Sequence, residues 1–137
     1  MDVKTIGEMN FLVNGSNLEK FLYNLKSSSE DKFDDINIIC KNCFKNVSTV
    51  ENITINTNLS LQIEQFAFEN CSKLKTIVLD VKDKDLTIQS DAFKSCNELD
   101  CVHIKSASKI KIEKDAFSQC YNLRVVVLES DNVEIRE

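Results

Sequence analysis

Apolar residues recur in a fixed order along most of the chain. Ala67-Phe68-x-x-Cys71-x-x-Leu74, Ala92-Phe93-x-x-Cys96-x-x-Leu99 and Ala116-Phe117-x-x-Cys120-x-x-Leu123 share one pattern, with the alanines 25 and 24 residues apart. A further step of 24 residues back from Ala67 lands on Cys43, with Phe44, Val47 and Val50 in the Phe, Cys and Leu slots. Ile39, Ile63, Ile88 and Ile112 each lie four residues before the first slot. After each Leu slot comes a short alternating run: Ile53-Thr54-Ile55, Ile77-Val78-Leu79, Val102-His103-Ile104 and Val126-Val127-Leu128. A second alternating pair precedes each Ala-Phe (Leu61/Ile63, Leu86/Ile88, Ile110/Ile112), and Val133/Ile135 open a fifth coil. Period-two alternation over such short runs predicts strands. Phe, Cys and Leu at i, i+3 and i+6 predict one inward face of a short helical or 3₁₀ turn.

A coil of about 24 residues is too small to bury its own apolar face, so this repetition predicts a solenoid in which neighbouring coils cover one another. Ile77 is expected to stack over Ile53 and under Val102, with strands of adjacent coils pairing in parallel about 4.8 Å apart. Alanine at the head of each turn allows close approach to the strand, and Asp91 and Asp115 are candidates to cap that turn. Cys71, Cys96 and Cys120 share one slot. They are expected to form an inward column of small apolar plugs, each with a weak donor for a nearby carbonyl.

Residues 1–35 do not follow the spacing. Ser16 or Asn17 suits a helix N-cap, and Leu18, Phe21, Leu22 and Leu25 form one apolar face, predicting a helix over Asn17–Ser28 followed by a polar loop. A solenoid needs its first coil covered, and this helix is the expected cap. The expected organisation is therefore an amino-terminal cap over 1–35 and a solenoid of about four coils over 36–137.

Ala-Phe-x-x-Cys-x-x-Leu-x-x-Ile-x-Leu at a period of 23–25 residues resembles the BspA-type, or Treponema pallidum-type, leucine-rich repeat, over about residues 39–135. The resemblance implies an α/β repeat solenoid: a short right-handed leucine-rich-repeat coil with a parallel strand ladder on its concave face, here with an N-terminal capping helix. It also implies surface or secreted proteins that take part in adhesion and protein–protein contacts. Two features depart from the family pattern. The family usually places Pro after the strand and Gly before the Ala-Phe, and this chain has no Pro and only Gly7 and Gly15.

Composition narrows the function. Two glycines leave no Gly-rich phosphate loop, and a single histidine leaves no mechanism needing two. A net charge of −5 argues against nucleic acid as partner. No apolar run approaches the roughly 18 residues of a membrane span. The first residues carry Asp2, Lys4 and Glu8 with no h-region behind them. This is the expectation for a cytoplasmic chain or one without its export signal, against the surface or secreted location that the resemblance implies. No enzyme activity, metal or cofactor is expected.

The expected function is a protein–protein interaction module. Residues flanking the inward pair on each strand point outward. They nominate Thr76, Val78, Asp80, Cys101, His103, Lys105, Val125, Val127 and Glu129 as partner-binding, with Asn52, Thr54 and Asn56 on the same face. Three valines at outward positions, with His103 between them and charge around them, form the candidate patch. The alternative is an assembly unit that self-associates through an exposed last coil at Val133–Ile135, since an unpaired edge strand is a template for pairing. Cys40-x-x-Cys43 has zinc or redox spacing. Its nearest companion pair, Cys96 and Cys101, lies two coils away, and Cys43 also fills the alanine slot. Cys101 and His103 face one way on one strand, without a cleft or an orienting carboxylate. Asn14, Asn46, Asn52, Asn58 and Asn70 head Asn-x-Ser/Thr triplets, which matter only in a eukaryotic secretory setting.

Overall fold

A computed structural model describes residues 2–6, 9–13, 30–34, 36–39, 41–105 and 107–136. The chain passes alternately through two sheets. Strands β3 (Glu30–Asp34), β5 (Asn52–Asn56), β7 (Thr76–Asp80), β9 (Cys101–Lys105) and β11 (Val125–Leu128) form one sheet, parallel throughout. Strands β4 (Ile36–Ile39), β6 (Leu61–Ile63), β8 (Asp85–Ile88), β10 (Lys109–Ile112) and β12 (Val133–Ile135) form the second, also parallel. At its amino-terminal edge the second sheet gains an antiparallel hairpin, β1 (Asp2–Ile6) and β2 (Met9–Val13), with β2 antiparallel to β4.

Register follows the repeat. Ile53, Ile77, Val102 and Val126 stand in line across the first sheet, as the spacing predicts, and Leu61, Leu86, Ile110 and Val133 across the second. β-Branched side chains suit these pleated, half-buried surfaces. In β5, β7 and β9 every second residue is buried. The third side of each coil is the Ala-Phe-x-x-Cys-x-x-Leu segment, which supplies Phe, Cys, Leu and the small first residue to the same core. The rings of Phe44, Phe68, Phe93 and Phe117 stack in a column at 4.9, 4.9 and 5.1 Å between centroids.

That third side corrects the expected fold class. Among the described residues there is no helix, so the architecture is a parallel β-solenoid of about four turns rather than an α/β repeat. The capping helix expected over Asn17–Ser28 lies outside the described residues. The reason the turns do not become helical lies in their hydrogen bonds. Phe44 N–H donates to Ala67 O of the next coil at 2.6 Å, Phe68 to Ala92 at 2.7 Å and Phe93 to Ala116 at 2.8 Å. Asn46, Asn70 and Ser95 N–H groups donate likewise to Glu69, Lys94 and Ser118. Donors spent between coils cannot close a helical ladder within one coil. The backbone reaches this geometry with two left-handed residues per turn: Asn42 and Asn46, Phe66 and Asn70, Asp91 and Ser95, Asp115 and Gln119.

Candidate interaction surface

The outward positions of the first sheet form three rows. Asn52, Thr76, Cys101 and Val125 stand in register in one, Thr54, Val78, His103 and Val127 in the next, and Asn56, Asp80 and Lys105 in the third. Glu129 follows β11 and is tied down by its N–H to Ile104 O at 2.8 Å. The structure thus places all nine nominated residues on, or just past, three adjacent strands. Their exposure differs: those on β7 and β9 are half-buried, whereas Val125, Val127 and Glu129 are exposed.

Polar contacts fix much of the face. The Thr76 hydroxyl donates to Asn52 Oδ1. Lys82 Nζ lies 3.0 Å from Asp80 Oδ2. Partial burial pushes the Asp80 carboxyl up, but hydrogen bonds from Lys82 and the charges of Lys82 and Lys105 outweigh it and hold it below the usual value. His103 Nε2 lies 2.6 Å from Glu129 Oε2, which ties the histidine to the last coil. Between this face and the turns, Arg124 makes a bidentate pair with Asp100, at 2.7 and 2.9 Å, in an open depression also lined by Tyr121 and Asn122. The Arg124 hydrogen bond holds Asp100 below the usual carboxylate range.

Apolar exposure is concentrated at one end. Among the described residues, every exposed large apolar side chain belongs to the last coil: Tyr121, Val125, Val126, Val127, Val133 and Ile135. The spacing assigns Val126 to the interior, yet it is 46% exposed where its counterpart Val102 is 1% exposed. Ile135 is 57% exposed where Ile112 is 6%. These residues carry the inward pattern, and only the absence of a described coil beyond them leaves them uncovered. Periodicity marks such a position as inward whether or not a neighbour lies over it.

The cysteine column forms as its shared slot suggested. Cys71, Cys96 and Cys120 donate to the carbonyls of Phe44, Phe68 and Phe93 at 3.1, 3.1 and 3.0 Å. The Cys120 neighbour pulls the Cys96 thiol down, but the Cys71 neighbour and burial push it further up. Contact with Cys96, and then burial, raise Cys120 as well. Such thiols stay protonated and poorly nucleophilic. Cys43 is buried in the alanine slot, and Cys40 lies outside the described residues. Among the described residues, no three His, Cys, Asp or Glu side chains cluster as a metal site would require.

The repeat geometry finds its counterpart in a comparison with protein families. The family described as the BspA type leucine rich repeat region matches in 6 copies across residues 16–137. The chain belongs to this family. No curated protein and no solved structure matches it. BspA-type repeats make this a repeat module of a kind suited to protein interaction, on a solenoid that is typically non-enzymatic. No helix among the described residues is long and apolar enough to cross a membrane.

Membership also explains two local features. The position at which the BspA-type pattern usually has Gly is held here by Asn42, Phe66, Asp91 and Asp115, with φ of 64°, 63°, 60° and 63°. Glycine suits that slot because only it enters the left-handed region without steric cost. The match also begins at residue 16, upstream of Ile39, where the spacing becomes visible. Strand β3 pairs with β5 so that Glu30 faces Asn52. Carried back by the same offset of 22 residues, Phe21, Leu22 and Leu25 fall on the slots of Cys43, Phe44 and Val47.

Proposed function

We propose that the chain is a non-enzymatic protein-interaction module that engages a protein partner through the outward rows of β7, β9 and β11. The observation that carries this reading is the in-register row Val78, His103 and Val127, with exposed Val125 beside it and the pairs Asp80–Lys82 and His103–Glu129 at its margin. An apolar strip rimmed by both signs of charge has the anatomy of a binding patch: a dehydrated centre for affinity and a polar rim for selectivity. An adhesin-like role at a cell surface is the form of this function that the family favours.

The test is affinity capture from cell lysate and from extracellular proteins, comparing the natural chain with Val78→Asp/Val127→Asp. Both side chains lie outside the core, so circular dichroism of the variant should match that of the natural chain. A partner lost only by the variant supports the reading. A partner retained by it moves the site off this face.

The uncovered inward slots of the last coil favour a second reading, in which the chain assembles with copies of itself through β11 and β12. Light scattering as a function of concentration separates the two. A strict monomer at high concentration removes the second reading and leaves the first intact.

A further inference from the structure

We infer that the partner on the outward face of the first sheet is a second copy of this chain, related by a two-fold axis along the stack so that each coil faces its own counterpart. The inference rests on the reading of this face as the binding surface and names what it binds. It comes from the signs of charge on the two margins of the sheet.

On the margin next to the turns, Glu51, Lys75, Asp100 and Arg124 enter β5, β7, β9 and β11, and they alternate in sign. Neighbours pair within the chain, Lys75 with Glu51 at 3.2 Å and Arg124 with Asp100 at 2.7 Å. On the other margin Asp80 and Lys105 stand in register, with Glu129 just past β11, and these alternate too. Alternation alone satisfies such a ladder, whichever phase each margin takes. The two phases are opposite: Lys75 and Asp80 flank one strand, Asp100 and Lys105 the next, Arg124 and Glu129 the one after. Each of these coils thus has a cation at one end of its strand and an anion at the other, and the direction reverses from coil to coil.

A two-fold axis along the stack turns the face onto a copy of itself and exchanges the two margins. Lys75 then meets the second copy's Asp80, Asp100 the second copy's Lys105, and Arg124 the second copy's Glu129. Contacts of i with j and of j with i are what an isologous interface requires. A copy displaced by one coil would set Lys75 against Lys105 and Asp100 against Asp80 or Glu129, so the charges also fix the register. Lys105, which has no ion pair among the described residues, gains one. Val78, His103 and Val127 lie along the axis, an apolar centre inside a charged rim. The match is made coil by coil, so it holds whatever lies beyond either end of the stack.

The face is flat enough to meet its copy. On the third side the phenylalanine rings climb 4.9, 4.9 and 5.1 Å per coil, and paired strands lie about 4.8 Å apart. Sides that rise equally stack with almost no wedge. Four strands of four or five residues make a patch about 19 Å by 17 Å. That is small for a specific interface, so the dimer is a weak one that forms at high concentration. Lys82 already holds Asp80 at 3.0 Å, which leaves the coil of β9 as the sharpest place to test the pairing.

The test is sedimentation velocity on the 137-residue chain over a wide concentration range, with Lys105→Glu, Asp100→Lys and Val78→Asp alongside. Circular dichroism and urea unfolding establish that each variant is folded. The natural chain should rise from 15.6 kDa toward twice that value and no further. Val78→Asp should weaken association about 100-fold or more, because two carboxylates meet at the axis. Lys105→Glu and Asp100→Lys should each weaken it about 10-fold, because each sets like charges face to face twice per dimer. Mixed in equal amounts, these two single variants should associate with each other about as well as the natural chain does with itself, since every facing pair is then opposite in sign. No effect within one molecule produces that recovery. A mixture no better than its components would overturn the inference, as would a dimer indifferent to Val78→Asp or a mass that climbs past two copies. A monomer at every concentration would also overturn it, and would leave the face to a different protein, which the capture with Val78→Asp/Val127→Asp reads separately.

Discussion

The stacked phenylalanines make the one-dimensional energetics of the solenoid measurable. Phe93 is 1% exposed and lies between Phe68 at 4.9 Å and Phe117 at 5.1 Å, with its ring plane within 6° of both. Phe93→Ala removes a fully enclosed ring and two ring contacts. The expected cost is about 3–5 kcal/mol, including roughly 0.5–1.5 kcal/mol for each ring contact. Phe117 has the same chemistry but only one ring neighbour and a half-buried site. Phe117→Ala should therefore cost about 1–2 kcal/mol. The difference arises because each coil contacts only its neighbours, so an end coil lacks half the contacts of an inner one. Urea unfolding followed by circular dichroism, at a protein concentration that keeps the chain monomeric, gives both values from the shift in midpoint at constant slope. Total stability of a domain is about 5–15 kcal/mol. Phe93→Leu, expected to cost about 1–1.5 kcal/mol, serves where Phe93→Ala leaves too little folded protein. Equal costs at positions 93 and 117 in the monomer would refute the reasoning, for the last coil would then be as well covered as the inner ones.

Other consequences are open to direct measurement. Asp91→Gly and Asp115→Gly relieve left-handed backbone worth about 1–2 kcal/mol per residue, against about 0.5–1 kcal/mol of added chain entropy in the unfolded state. Each should stabilise by about 0.5–1 kcal/mol and raise the melting temperature, and a fall would contradict the assignment of φ at these sites. Thr57, buried on the first sheet's margin, accepts the Leu59 N–H at 3.1 Å. Thr57→Val should cost about 1–2 kcal/mol in the same urea titration, and a neutral result would show that this bond is replaceable. The Cys96 and Cys120 thiols have raised pKa values, so the folded chain holds protons that the unfolded chain releases. Their contribution is present below the ordinary thiol value of 9.0 and is lost as pH rises above it. Stability should therefore fall between pH 9 and 11, and the fall should shrink in Cys96→Ala. A natural chain whose stability is flat over that range would exclude the effect. Native-state alkylation should modify Cys101, outside the column, well before Cys71 or Cys96, as mapped by peptide mass.

Much of the fold was legible because its logic is periodic. Ile53, Ile77 and Val102 share a slot in the chain and share a column in space, and the cysteine slot leads to the same carbonyl in three successive coils. The candidate face followed from the same register, since residues that flank an inward pair must point outward. The turns were only partly legible: i, i+3, i+6 spacing is common to a helical face and to a run of i→i+3 turns bonded between coils, and the structure has the second. Leu18, Phe21, Leu22 and Leu25 pose the same ambiguity upstream. Their spacing suits a helix, and their offset from β5 suits a repeat.

What the sequence determined by itself is the coil: its length, its inward and outward residues, and the stacking of like on like, because a unit that cannot bury its own apolar face must place it against an identical one. What only the tertiary structure decided is how neighbouring coils are bonded to one another and what flanks them among the described residues. It capped the second sheet with an antiparallel hairpin two strands beyond β4, spent the turn amides between coils instead of within them, and left Val126, Val133 and Ile135 uncovered at one end. The physical reason is that periodicity specifies a residue's environment relative to its neighbouring coils. Whether a neighbour exists is a property of the whole assembly, and no single coil encodes it.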